Sequence, residues 1–102
     1  MLKLLKVSGD SLSPAFQEGD FVVIAKIPLF FNHPPKPGDV IVFNHAVFGT
    51  MIKLVESVIL EKEELFVVGT HQNSIDSRRF GPIPIRSVIG KVIWHIKRPR
   101  SK

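Results

Sequence analysis

The chain has 102 residues, enough for one small domain with a single core. Hydrophobic residues make up 44% and charged residues 23%, a balance that excludes disorder, and the absence of cysteine excludes disulfides and thiolate metal sites. The net charge of +5 allows weak attraction to anionic lipid or nucleic acid without selecting a partner, and no apolar run approaches the ~20 residues of a membrane-spanning helix.

Runs rich in Val and Ile, separated by proline and glycine, predict strands and turns through most of the chain. The first strand is expected over Leu2–Val7, a start too short and too often charged for a signal peptide. Ser8, Ser11 and Ser13 crowd the turn that follows, and Pro14-Ala15-Phe16-Gln17 is expected to form one helical turn. Gly19-Asp20 leads into a strand over Phe21–Lys26. Pro28-Leu29-Phe30-Phe31 is read as folding back onto the core, with an exposed apolar finger that touches a membrane or a partner as the alternative. After a proline-rich loop, Pro37-Gly38-Asp39 echoes Glu18-Gly19-Asp20 and feeds a strand over Val40–Asn44.

A long strand follows over Thr50–Ile59, then an exposed hairpin tip at Glu61-Lys62-Glu63-Glu64 and a strand over Leu65–Val68. Gly69 to Pro84 reads as a long polar loop that needs internal hydrogen bonds if it packs near a core. Pro84-Ile85-Arg86-Ser87-Val88 is the second and last place expected to hold a helical turn. A strand over Ser87–Ile96 closes the domain, taken as residues 1–96, and residues 97–102 form a basic tail. The expected fold is mainly β: a small curled sheet or barrel with one or two short helical turns.

Two residues carry the chemistry. A serine hydroxyl is a poor nucleophile near neutral pH and needs an adjacent base. Ser11 lies in the turn Gly9-Asp10-Ser11-Leu12-Ser13-Pro14, and Lys53 stands alone in the apolar run Met51-Ile52-Lys53-Leu54-Val55. Taken singly, such a serine is a turn residue that bonds its own backbone, and such a lysine lays its stem on apolar surface with its head in water. Taken together they suggest a serine–lysine hydrolase, in which burial lowers the lysine from its ordinary value of about 10.4 so that the neutral amine acts as base. His33, His45, His71 and His95 show no ligand spacing, most are expected at the surface or in loops, and no metal or other cofactor is expected.

Three blocks in this order resemble the type I signal peptidase family, within a wider group that includes the self-cleaving domains of LexA-like repressors. Gly9-Asp10-Ser11-Leu12-Ser13-Pro14 resembles the nucleophile box and Met51-Ile52-Lys53-Leu54-Val55 the lysine box. Asn73-Ser74-Ile75-Asp76-Ser77-Arg78, with Gly81-Pro82-Ile83-Pro84 and Ile89-Gly90-Lys91-Val92, resembles the third box and its continuation. The resemblance runs from about Val7 to Trp94 and implies a complex β-barrel of the LexA/signal peptidase type. It implies that Ser11 is the nucleophile, Lys53 the general base and Ser74 the residue that orients the lysine. Asp76 and Arg78 match an ion pair that holds the third box in shape, with Asn73 and Ser77 supporting that loop. The Ser11 amide is implied as one oxyanion donor. Gly9 stands where some members carry a hydroxyl, Leu12 where methionine is commoner, and Leu54 where a basic residue is frequent.

The implied function is a serine endopeptidase that removes N-terminal signal or leader peptides from precursor proteins. A precursor would lie as an extended strand beside Thr50, Met51 and Ile52 and the strand leading into Gly9. Shallow pockets involving Val7, Leu12 and Ile52 would favour small side chains. The chain also resembles small anchor-free relatives that trim one dedicated partner, such as the maturation proteases of nickel-type superoxide dismutases. The alternative is a regulatory or oligomerisation domain, non-enzymatic or self-cleaving, of the repressor type. Specific nucleic-acid binding is not expected. With neither an anchor nor the large insertion of some members, the chain is expected to be soluble and cytoplasmic, with a peripheral membrane contact or a lost anchor as alternatives.

Overall fold

The computed structural model describes residues 2–6, 19–26, 35–69 and 75–97. Its strands are β1 (Leu2–Lys6), β2 (Phe21–Lys26), β3 (Val40–His45), β4 (Gly49–Ile59), β5 (Glu64–Val68), β6 (Ile83–Pro84) and β7 (Val88–Ile96). They form one antiparallel sheet in the order β1-β2-β7-β3-β4-β5-β6. Six of the seven fall where the Val/Ile runs predict them, within one residue at each end. Register shifts at Val23/Ile24, Val42/Phe43 and Val55/Ser57 bend the sheet, as bulges do. Among the described residues it stays open, with β1 and β6 as its edges, and does not close into the barrel that was one expected form. No helix among them is long and apolar enough to cross a membrane.

Helix departs from expectation. The turn near Pro84 is present as a 3-10 turn over Ile85–Ser87, whereas Pro14-Ala15-Phe16-Gln17 lies outside the described residues. Two further pieces appear where none was expected: a 3-10 turn over Leu60–Lys62 in the exposed hairpin, and helix α1 (Ser77–Phe80) inside the polar loop. Both are short and lack an apolar period, so they leave no pattern to read. Pro28-Leu29-Phe30-Phe31 lies outside the described residues, as does the tail beyond Lys97.

Alternation along the strands buries two clusters on opposite faces. Ile41, Phe43, Val55, Leu65, Val67, Ile83 and Val88 form the larger one, with Met51 and Phe80 packed against it. Val22, Ile24 and Val42 form the smaller, with Leu5, Ile52 and Val92 alongside.

The two echoed Gly-Asp turns do one job twice. Gly19 (φ +93°) and Gly38 (φ +95°) adopt the left-handed region that glycine tolerates, and each leads into the strand that flanks β7 on one side. The aspartate after each glycine then bonds a basic side chain of β7. Asp20 Oδ2 lies 2.8 Å from His95 Nε2, and Asp39 Oδ1 lies 3.5 Å from Lys91 Nζ. His95 thus departs from the surface role expected for most of the histidines.

Between these clamps, Gly90 allows β7 to approach β2 closely. A Cβ there would sit 2.8 Å from the Ala25 carbonyl oxygen and 3.2 Å from Ile24 Cδ1. Gly90→Ala is therefore expected to destabilise the protein by about 1–3 kcal/mol, because a backbone atom must move. Urea unfolding checks this, and an unchanged midpoint would contradict the close approach.

Candidate active site

β4 is long because Thr50–Ile59 is rich in apolar and β-branched residues, and Lys53 falls on the inner side of its apolar stretch Met51–Val55. Odd-numbered residues of β4 up to Val55 face the larger cluster, so alternation sends the Lys53 side chain inward between Met51 and Val55. Lys53 is 1% exposed and pairs with Ile41 of β3. One register step beyond the Leu54–Val68 pair, it meets the position of Gly69, where β5 ends. A lysine that is ordinarily on the surface is here withdrawn from water among aliphatic side chains.

Gly69 belongs to a polar knot. The Asp76 carboxylate accepts from Gly69 N (2.8 Å), Arg78 N (3.0 Å), Arg78 Nε (3.0 Å) and Arg78 Nη2 (2.6 Å). The bond from Arg78 N also caps α1, with Asp76 in the extended conformation an N-cap requires. Ser77 Oγ accepts from Val67 N at 2.9 Å, which fastens α1 to β5. Gly81 (φ +83°) ends the helix, its amide donating to Ser77 O. Asp76, Ser77 and Arg78 therefore fasten the end of β5 to the segment that carries α1.

Burial pushes the Asp76 carboxyl up, but the Arg78 guanidinium and the Gly69 and Arg78 amides outweigh it and hold it below its ordinary value of 3.8. The Arg78 guanidinium is raised in turn, chiefly by its hydrogen bond to Asp76.

Thr50, Met51 and Ile52 precede Lys53 on β4. Thr50 is exposed and its hydroxyl donates to Asn44 Oδ1 across the β3–β4 pair at 2.8 Å. Met51 packs on the face that carries Lys53, and Ile52 on the other. Ser11 and Ser74 lie outside the described residues, as do Asn73, Val7, Gly9 and Leu12. β1, the strand leading toward Gly9, is separated from β4 in the sheet by β2, β7 and β3.

Sequence reading missed the aromatic corner beside the site. The rings of His45 and Phe80 meet at a tilt with centroids 4.4 Å apart, and those of His45 and Phe48 at 5.1 Å. Nothing in the spacing of His45 and Phe80, 35 residues apart, marks their contact. Among the described residues no three His, Asp or Glu side chains gather as a metal ion would require.

The Asp76 knot makes stability depend on acid. A carboxyl held below its ordinary value in the folded state stabilises fully above 3.8, and that contribution fades as pH falls through the lower folded value. Asp76→Ala leaves the Gly69 and Arg78 amides without their acceptor and is expected to cost about 1–3 kcal/mol at pH 7. The difference from wild type should shrink below about pH 4. Urea denaturation of both proteins from pH 7 to pH 2.5 checks this; a pH-independent difference would contradict it.

Residues 48–96 match the family described as signal peptidase, peptidase S26, a span that takes in Lys53, Asp76, Ser77 and Arg78. The chain is 31% identical over 78 residues to thylakoidal processing peptidase 1, chloroplastic, of Arabidopsis thaliana, covering 76% of this chain and 21% of that protein. It is 38% identical over 42 residues to mitochondrial ATP-independent inner membrane protease subunit 1b of the same organism, covering 40% of this chain and 25% of the relative. The chain thus spans between a fifth and a quarter of the length of these curated relatives. With its lysine strand, its Asp-Ser-Arg knot and its last strand all inside the matched span, the chain belongs to the type I signal peptidase family.

Proposed function

We propose that this protein is a serine endopeptidase that removes N-terminal signal or leader peptides, with Ser11 as nucleophile and Lys53 as general base. The observation that carries this reading is the burial of Lys53, a lone amine on an otherwise aliphatic strand face, within the span that matches a peptidase family. Loss of water disfavours the ammonium more than the amine, which suits a lysine to take a proton.

In this mechanism Ser11 Oγ attacks the scissile carbonyl while its proton passes to Lys53 Nζ. The Ser11 amide donates to the oxyanion that forms. The lysine then returns the proton to the departing amine, leaving an acyl-enzyme. Water attacks that ester and gives a proton to Lys53, which passes it to Ser11 Oγ as the C–O bond breaks and the carboxylic acid product leaves, restoring both residues. Ser74 orients the amine, and the Asp76, Ser77 and Arg78 knot, with Asn73, holds the loop that carries Ser74. Residues 1–96 act as one peptidase unit, with 97–102 as a basic tail.

The substrate lies as an added strand along β4. Val55 exchanges main-chain bonds with the Gly38–Asp39 side. Ladder alternation then points the main chain of Leu54, Ile52 and Thr50 away from β3. Leu54 meets Val68, but β5 ends there, and around Thr50 no described strand covers that side of β4. An extended peptide can pair with Thr50 and so pass close to Lys53.

Ser11→Ala and Lys53→Met are each expected to lower cleavage of leader-bearing precursor peptides by on the order of a thousandfold or more. Ser74→Ala should cost less, because orientation is one part of the lysine's surroundings. Since the neutral amine is the working form, single-turnover cleavage should rise with pH. Mass-spectrometric detection of cleaved peptides checks all three variants; undiminished cleavage by Ser11→Ala or Lys53→Met defeats the dyad.

A further inference from the structure

The tip of the β3–β4 hairpin is built around a histidine ring. His45 Nδ1 accepts from the backbone amides of Val47 (3.1 Å) and Phe48 (3.3 Å), which winds the turn over the imidazole. The same ring lies against Phe48 and, across the gap to α1, against Phe80, and the two phenylalanine centroids are 6.0 Å apart. Despite this support the corner is not sealed: Phe48 is 46% exposed and Val47 78%. An ordered apolar edge left in water is a contact surface in waiting.

Its place in the fold says what touches it. Phe48 ends the turn that enters β4, and from Gly49 to Lys53 the strand runs roughly 13 Å. Met51 lies between them, on the face that carries Lys53, and Phe80 packs against the same cluster. A peptide that pairs with β4 at Thr50, its cleaved bond at Lys53, must continue past this corner. Strand pitch brings its side chains about four to six residues from the cleaved bond level with Phe48.

We infer that Phe48, held in place by His45 and Phe80, is a specificity-determining residue that selects an apolar side chain four to six positions from the cleaved bond in a leader-bearing precursor. This rests on the peptidase reading above and adds to it a second, distal point of selection. His45 acts through Phe48 as a positioning residue. Its two accepted amide bonds fix where the phenyl ring stands.

The test is a positional set of synthetic peptides with alanine next to the cleaved bond. Leu, Phe, Ala or Asp is placed in turn at the fourth, fifth and sixth positions on each side of that bond. The wild-type protein is expected to prefer Leu or Phe over Asp about tenfold in kcat/KM at one of these positions. Phe48→Ala should bring that ratio close to one, and His45→Ala should follow it. Leu60→Ser, on the exposed far hairpin, should leave the ratio as in wild type. A KM difference that reports on peptide binding should account for most of the ratio. A flat preference in the wild type, or a preference that survives Phe48→Ala, overturns the inference while leaving the peptidase reading standing. Failure of the wild type to cleave any peptide, with Lys53→Met indistinguishable from it, overturns both.

Discussion

A single amine kept out of water constrains this molecule more than any other group. Lys53 occupies an inward position of β4 where strand alternation calls for a hydrocarbon, and its neighbours Met51, Val55 and Ile41 supply one on each side. In the proposed mechanism, the side chain that the sheet buries is also the general base. Fold and proposed chemistry meet in one side chain.

Such a group works only on a platform that does not shift, and β7 supplies the rigidity. It runs through the sheet between β2 and β3, and an aspartate from the turn before each of those strands bonds it. Gly90 removes the side chain that would otherwise hold β7 away from Ala25. β3 then places β4 in register, Ile41 against Lys53. The position of the amine is thus set by a series of strand pairings that ends at two Gly-Asp turns, not by the residues next to it in sequence.

The polar third block divides its labour. Asp76 spends its acceptors on Gly69 and Arg78, and Ser77 bonds the Val67 amide, so these residues are occupied in shaping the end of β5. This is what a polar segment packed against a core must do to avoid unmet hydrogen bonds. In the proposed mechanism, chemistry is left to Lys53, Ser11 and Ser74.

Much of this was legible in the sequence. Alternation and turn residues mark six strands within a residue, since a strand's period and a glycine turn are written in two to six adjacent positions. The lone lysine in an apolar run and the Asp-Ser-Arg motif could be picked out for the same reason. Helix α1 could not: Ser77-Arg78-Arg79-Phe80 has no apolar period, and its helix depends on the Asp76 cap and on a hydroxyl bond to Val67, ten residues away. Nor could the strand order, the pairing of Asp20 with His95 across 75 residues, or the meeting of His45 with Phe80. Local geometry follows from neighbouring residues, which the sequence by itself determines. Contacts between distant residues exist only after the chain has reversed and paired, and that was decided by which apolar faces could be buried together.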